Sequence, residues 1–281
     1  MSQETTAEHS VGDTIVSVII PFCAEYTPDE MLTEAIESAE NQQGVETEIH
    51  IIEDQEQRGP AWARNVGLER ADTRYVAFLD ADDIWKQTKL RDQLRLMQET
   101  GAGMCVDGER EYTPIEFVGA LMTGETFGLT SAITVDTEQV DVRFDESLPR
   151  REDHLYMIEA AMQGGVCTLP ETFIDRTHED GFSHYVDNSP QDIDEFYDAV
   201  TDITPEASRF ENKYYRQSYT YLGRMRHFDR EYRIAIGHYL ESLKYGPSVD
   251  GIGALGITLL TILYEIPLRS ARRLWAGGTY E

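Results

Sequence analysis

Three short apolar runs recur in the first third of the chain: Ser17-Val18-Ile19-Ile20-Pro21-Phe22, Ile49-His50-Ile51-Ile52 and Tyr75-Val76-Ala77-Phe78-Leu79. Their length and β-branched content predict buried strands. Between the first two, Met31, Leu32, Ala35, Ile36 and Ala39 fall at three-four spacing, which predicts a helix from about Asp29 as its N-cap. A second helix is predicted from near Pro60, and a third carries Leu90, Leu94 and Met97 on its buried side. Strands alternating with helices over residues 14 to 100 predict a mostly parallel sheet covered by helices, an α/β fold. Residues 103 to 184 read as a mixed region in which the sheet finishes.

From about Ser189 the pattern changes. Tyr, Leu, Met and Ile recur at helical spacing from Tyr214 to Leu243, predicting a helical appendage with the look of one tetratricopeptide-type helix pair. Gly251 to Tyr264 then carries no charge, and Arg269, Arg272, Arg273 and Trp275 follow. A bilayer span needs ~20 apolar residues, so segment 251–268 is too short to be favoured as one. Two readings stand for it: a helix buried in the appendage or in a dimer contact, and an interfacial segment with Arg and Trp at headgroup level. The expected domains are a polar tail at 1–13, an α/β domain at 14–188 and a helical region at 189–281.

The net charge of −28 rests on 52 acidic and 24 basic residues, and it is unevenly shared. Residues 1–208 carry 45 acidic and 13 basic side chains, whereas residues 209–281 carry 7 and 11. Such an acidic surface repels itself unless salt screens it, and at molar salt the Debye length falls to ~3 Å. A halophilic cytoplasm is the expected setting, and the missing basic face excludes nucleic acid as a partner. The 13 N-terminal residues hold neither a basic nor an apolar region, so no secretory signal is expected. Cys23, Cys105 and Cys167 lack metal or redox spacing and read as reduced thiols.

The chemistry centres on Asp80, Asp82 and Asp83, which follow the third apolar run directly. Ligands of open α/β sheets bind at the carboxyl ends of strands, where these carboxylates could hold Mg²⁺ or Mn²⁺ beside substrate phosphates. Standing alone, an acidic cluster after a strand reads equally well as a solvated turn.

It does not stand alone. Ser17 to Phe22, the acids Glu53-Asp54, Ala63-Arg64-Asn65-Val66-Gly67, Phe78-Leu79-Asp80-Ala81-Asp82-Asp83, Phe144-Asp145-Glu146-Ser147-Leu148, Glu152-Asp153-His154-Leu155 and Arg176-Thr177-His178 follow one another in order. Together they resemble the family 2 glycosyltransferases of the GT-A fold. The resemblance implies a Rossmann-like sheet and an inverting, metal-dependent transfer of a sugar from a nucleotide donor, of UDP type, to a glycan or lipid-linked acceptor of polyprenyl phosphate type. It makes Asp153 the catalytic base, with Glu152 as runner-up. Asp82, Asp80 and His178 become candidate metal ligands, and Pro21, Phe22, Glu25, Asp54, Arg64, Asp80 and Arg176 candidate donor contacts. Asn65 and Gly67 are expected to serve helix packing, and Asp83 to stand behind the metal or cap the helix of Leu90.

The chain departs from the family in one place. The family sets a D-D-G-S turn, a helix and a further strand between the paired acids and A-R-N-x-G, where this chain has only residues 55–62. The base half of the donor site is therefore expected to be abbreviated. The basic tail suggests a membrane-surface contact and a location at the inner face of the cell membrane. The alternative is an inactive GT-A-fold scaffold whose helical tail docks a partner. Against a third class, the sugar-phosphate nucleotidyltransferases, Pro21 to Glu25 lack the Gly-rich, basic phosphate loop that such an enzyme needs.

Overall fold

The first apolar run becomes β1 (Ile15–Phe22), and Val16 to Ile20 are entirely buried within a six-stranded sheet. The computed structural model describes residues 14–108, 110–126, 128–148, 150–170, 174–176 and 189–276, except the side chains of 175–176 and 264–276. The expected tail at 1–13 lies outside the described residues. The chain divides into two compact units, one within residues 1–187 and 198–207, the other within 188–197 and 208–281.

In the first unit β1 pairs in parallel with β2 (Glu46–Glu53) on one side and β3 (Tyr75–Phe78) on the other. The sheet continues through β6 (Ile133–Asp136) and β5 (Met104–Asp107) to β7 (Val166–Leu169), in the order β2-β1-β3-β6-β5-β7. Only β6 runs antiparallel to its neighbours, so the sheet is mostly parallel, as the alternating pattern implies. Strand β2 is one edge of the sheet and β7 the other. The chain turns from it directly into α2 (Pro60–Arg70), and no further strand intervenes, in keeping with the short 55–62 segment.

The helix α1 spans Asp29–Glu40, although its N-cap is Pro28 rather than Asp29. Helix α2 packs on β1 closely enough that a Cβ on Gly67 would lie 2.3 Å from Ile19 Cγ2. Beyond β3 a turn through Ala81 and Asp82 enters the short β4 (Asp83–Trp85), and α3 follows at Lys89–Thr100. Thr88, not Asp83, precedes that helix as its N-cap. Helices α4 (Pro114–Met122) and α5 (Glu152–Gly164) complete this unit's main cover.

Aromatic packing fixes the start of α5. Phe144 stacks on Tyr156 at 4.1 Å, and Phe78 at the end of β3 meets both edge-on at 5.2 and 5.5 Å. Such pairs add roughly 0.5–1.5 kcal/mol each beyond the area they bury. The Phe144 segment is itself clamped by Asn65, which donates from Nδ2 to the Phe144 carbonyl at 2.9 Å and accepts the Phe144 N–H at 2.8 Å. The A-R-N-x-G helix, the third strand and the E-D helix are thus locked to one another through F-D-E.

Helix α6 (Pro190–Ile203) and the helical turn after it are divided between the two units, and the second unit continues through α7 (Glu211–Phe228) and α8 (Tyr232–Lys244). Tyr239 of α8 lies against Gly223 of α7, where an added Cβ would come within 2.4 Å of the ring. Helix α9 runs Val249–Ala276. No helix among the described residues is long and apolar enough to cross a membrane.

Candidate functional site

At the carboxyl ends of β1 and β3 the sheet order reverses around β1, which is where ligands of open α/β sheets collect. Asp80 stands one residue beyond Leu79, whose N–H donates to the Ile19 carbonyl of β1 at 3.0 Å. The Asp80 backbone is held in turn by Ser131 Oγ, which accepts its N–H at 3.0 Å, and Thr130 Oγ1 donates to the Asp80 carboxylate at 3.2 Å. Trp85 Nε1 donates to the Ser131 carbonyl at 2.8 Å, so the turn carrying Thr130 and Ser131 is gripped from both sides.

Arg64 is the hub. Its Nη2 donates to Asp80 Oδ1 at 2.7 Å and its Nη1 to Glu152 Oε1 at 3.2 Å, with the guanidinium 5.4 Å from the Phe144 ring centre. The Arg64 side chain is only 6% exposed. Burial pulls its pKa down, but Asp80, Glu152 and Asp153 together outweigh that and hold it above the ordinary arginine value.

The two acids of the E-D pair occupy the first turn of α5, where the helix dipole favours negative charge. Arg151 before them adopts a left-handed backbone with φ of 62°, a conformation that costs a non-glycine residue about 1 kcal/mol or more. Burial, then the neighbouring Asp153, raises the Glu152 pKa above 4.5 despite Arg64. Burial likewise raises Asp153 above 3.8, opposed by Arg64 and by the His154 N–H that donates to Asp153 Oδ1 at 2.7 Å. A carboxylate whose pKa is raised by burial, with a nearby arginine opposing that rise, is suited to accept a proton.

The remaining expected residues divide. Pro21 and Phe22 end β1, the first half-buried and the second buried. Glu25 is exposed and accepts a hydrogen bond from Gln57 Nε2, which joins the loop after β1 to the turn after β2. Asp54 is 5% exposed, and both its oxygens accept backbone N–H groups, from Arg58 at 2.9 Å and Gly59 at 2.7 Å. Its observed work is to shape the 54–59 turn. Arg64, expected near base or phosphates, bridges the acids.

Asp82 is half-buried in the turn between β3 and β4. Strand β4 pairs antiparallel with β8 (Ile174–Arg176), with Asp83 opposite Arg176 in register, so the backbone of Arg176 lies beside the acidic turn. The Arg176 side chain and all of His178 lie outside the described residues.

Among the described residues no group of three or more His, Cys, Asp or Glu side chains could hold a metal by itself. What the turn offers is Asp80, 27% exposed at the cluster's rim, and Asp82. That donor set fits Mg²⁺ or Mn²⁺, which are held by one or two carboxylates and complete their shell with substrate phosphates and water.

Several participants carry no sequence signal of their own. Thr130 and Ser131 come from an irregular stretch before β6. Cys105 and Cys167, distant in sequence, are in-register neighbours on β5 and β7. Lys89 is fully buried, with Nζ donating to Gln93 Oε1 at 3.0 Å and lying 4.3 Å from the Trp85 ring centre.

Comparison with known proteins follows these elements. Residues 47–124 match the family model described as glycosyl transferase family 2. Over 64 residues, 23% of this chain, the sequence is 47% identical to TuaG of Bacillus subtilis, a glycosyltransferase assigned to teichuronic acid biosynthesis. Over 96 residues, 32% of this chain, it is 33% identical to WfgD of Escherichia coli, a UDP-Glc:alpha-D-GlcNAc-diphosphoundecaprenol beta-1,3-glucosyltransferase. The match spans 25% of TuaG and 37% of WfgD. Among solved structures, S. aureus TarS 1-349 in complex with UDP-GlcNAc aligns over 83% of this chain and 82% of its own, with a TM-score of 0.54 at 16% identity, a likeness of fold. Both the helix that supplies Arg64 and the turn that supplies Asp80 lie inside the residues that match glycosyl transferase family 2.

Proposed function

We propose that the protein is an inverting glycosyltransferase that moves a sugar from a UDP-type nucleotide donor to a lipid-linked glycan acceptor during surface glycan or glycoprotein assembly. One observation carries this reading: Arg64 gathers Asp80, from the acidic turn, and Glu152, from the start of α5, into one charge cluster beside Asp153. The donor class is supported by the UDP-GlcNAc bound to TarS, and the acceptor class by the diphosphoundecaprenol substrate in the name of WfgD.

In this reading the acceptor hydroxyl attacks the anomeric carbon as Asp153 takes its proton, and the bond to the nucleoside diphosphate breaks on the opposite face, inverting the configuration. Asp153 is preferred to Glu152 because Glu152 Oε1 is occupied by Arg64. Arg64 opposes the rise that burial imposes on the pKa of both acids. Asp80 and Asp82 would hold Mg²⁺ or Mn²⁺, with His178 as a further ligand, and the bound ion would supply Lewis-acid neutralisation of the leaving diphosphate. Pro21, Phe22, Glu25 and Arg176 remain donor contacts of the proposal, whereas Asp54 acts through the turn it shapes. The first unit is the transferase domain and the second a helical appendage, working in a halophilic cytoplasm at the inner face of the membrane.

The test is calorimetric titration of UDP, GDP and TDP in multimolar KCl, with and without Mn²⁺, into the protein and into Asp82→Ala. Metal-dependent binding of one nucleotide, lost in the variant, is expected. A folded sample that binds none of them overturns the reading.

A further inference from the structure

Helix α9 is built inside out. Over its described turns, the two buried residues are small or polar, with Leu255 and Ile262 half-buried on the same side. Gly251 is buried, and a Cβ there would meet Thr220 and Ser242. Thr258 is fully buried and hydrogen-bonded to His227 Nδ1 at 2.8 Å. Five large aliphatic side chains point the other way: Val249, Ile252, Ile257, Leu260 and Leu263 are 93%, 52%, 61%, 67% and 70% exposed. On a helical wheel these five fall on one side, around Gly253 and Gly256, where an added Cβ would meet open space. Beside them an open groove of about 540 Å³ is walled by Phe228, Val249 and Ile257, with Arg224 and His227 among its lining. A helix meant for water places its large apolar residues against the core, so a continuous stripe of this kind marks a surface that meets another apolar phase.

Charge selects the phase. Residues 209–281 hold 11 basic and 7 acidic side chains in a chain that is otherwise strongly acidic, and α9 itself continues through Arg269, Arg272 and Arg273. A second copy would bring two segments with this same positive excess together, whereas an anionic lipid surface is complementary to it. From this pairing of an outward aliphatic stripe with a local excess of positive charge, we infer that α9 lies in the interfacial plane of an anionic membrane and inserts this stripe among the acyl chains. The inference deepens the reading of a lipid-linked acceptor by giving the chain a surface that reaches the acceptor's bilayer. It rests on that reading for its purpose and not for its evidence.

The test is cosedimentation of the full chain with vesicles of phosphatidylcholine alone and of equal parts phosphatidylcholine and phosphatidylglycerol. It is run at the lowest KCl that preserves the far-UV circular dichroism and again in molar KCl, for the natural protein and for Leu260→Asp/Leu263→Asp. Both positions are exposed, so the double variant keeps its fold, and its dichroism checks this. The natural protein is expected to bind the anionic vesicles, with part of the binding surviving molar salt because insertion is apolar. The variant is expected to lose at least ~10-fold in partition coefficient. Three results overturn the inference: a natural protein that stays in the supernatant, a variant that binds equally well, or an oligomer in light scattering that the variant dissolves, which assigns the stripe to a second copy. UDP titration of the same samples keeps the two readings apart, since nucleotide binding without vesicle binding removes only the docking surface.

Discussion

Arg64→Met removes the guanidinium from the carboxylate cluster while keeping most of the side-chain volume. Arg64 is 6% exposed, and its partners Asp80 and Glu152 are 27% and 15% exposed, so the ion pairs are poorly screened by water. Deleting one partner of such a buried pair costs about 3–5 kcal/mol, because charges stranded without a counter-ion must pay their desolvation. For a chain of this size each kcal/mol is worth about 2–4 °C, which gives a fall in Tm of about 6–20 °C.

The loss has a pH signature. Glu152 and Asp153 already have pKa values raised above 4.5 and 3.8, chiefly by burial, and Arg64 opposes the rise in both. A carboxyl with a raised folded pKa binds more protons when folded than when unfolded, so its contribution is present at low pH and is lost as pH rises through the folded pKa. Without Arg64 both values climb further, and the window of falling stability extends upward from that acidic range. The variant should therefore trail the natural protein by more at pH 8 than at pH 5. Thermal unfolding followed by circular dichroism in molar KCl at the two pH values measures this. An equal deficit at both, or a fall in Tm under about 2 °C at pH 8, where the deficit should be largest, would refute the reasoning.

Gly67→Ala should destabilise by about 1–3 kcal/mol through overpacking, since its Cβ would sit 2.3 Å from Ile19 Cγ2, and a depressed Tm checks it. Lys89→Met tests the buried ammonium. Burial lowers the Lys89 pKa from 10.5 to about 8 against the upward pull of Asp107 and Cys105, so the folded state binds fewer protons and stability rises with pH between those values. The natural protein should gain stability relative to Lys89→Met from pH 8 to 10, as read from denaturant midpoints, and a constant difference would contradict the assignment.

The sequence reveals these features unequally, for physical reasons. Strands β1 and β3 and helices α2 and α3 are legible because each buries residues whose pattern is local, and β2 is legible as an apolar run although only Ile52 in it is buried. The abbreviated edge is legible too, because eight residues between Asp54 and Ala63 leave no room for a strand. The antiparallel β6 and the clamp of Thr130 and Ser131 on Asp80 are not, because their contacts join segments fifty residues apart without a repeating pattern. Arg64 could be singled out by its motif, yet its role as a bridge depends on two acids brought in by other elements. The same holds for Cys105 and Cys167, which only strand register makes neighbours. In α9 the run from Gly251 to Tyr264 is uncharged on every side, so periodicity could not say which face the protein covers; the packing of Gly251 and Thr258 does.

The most direct test of the central claim is sugar transfer from labelled UDP-sugars to a polyprenyl-phosphate-linked acceptor by the natural protein and by Asp153→Asn, with UDP affinity measured on both. The expected result is transfer by the natural protein and a loss of ~10²–10⁴-fold in the variant at unchanged UDP affinity, the signature of a missing base. Transfer that survives the substitution undiminished would contradict the account.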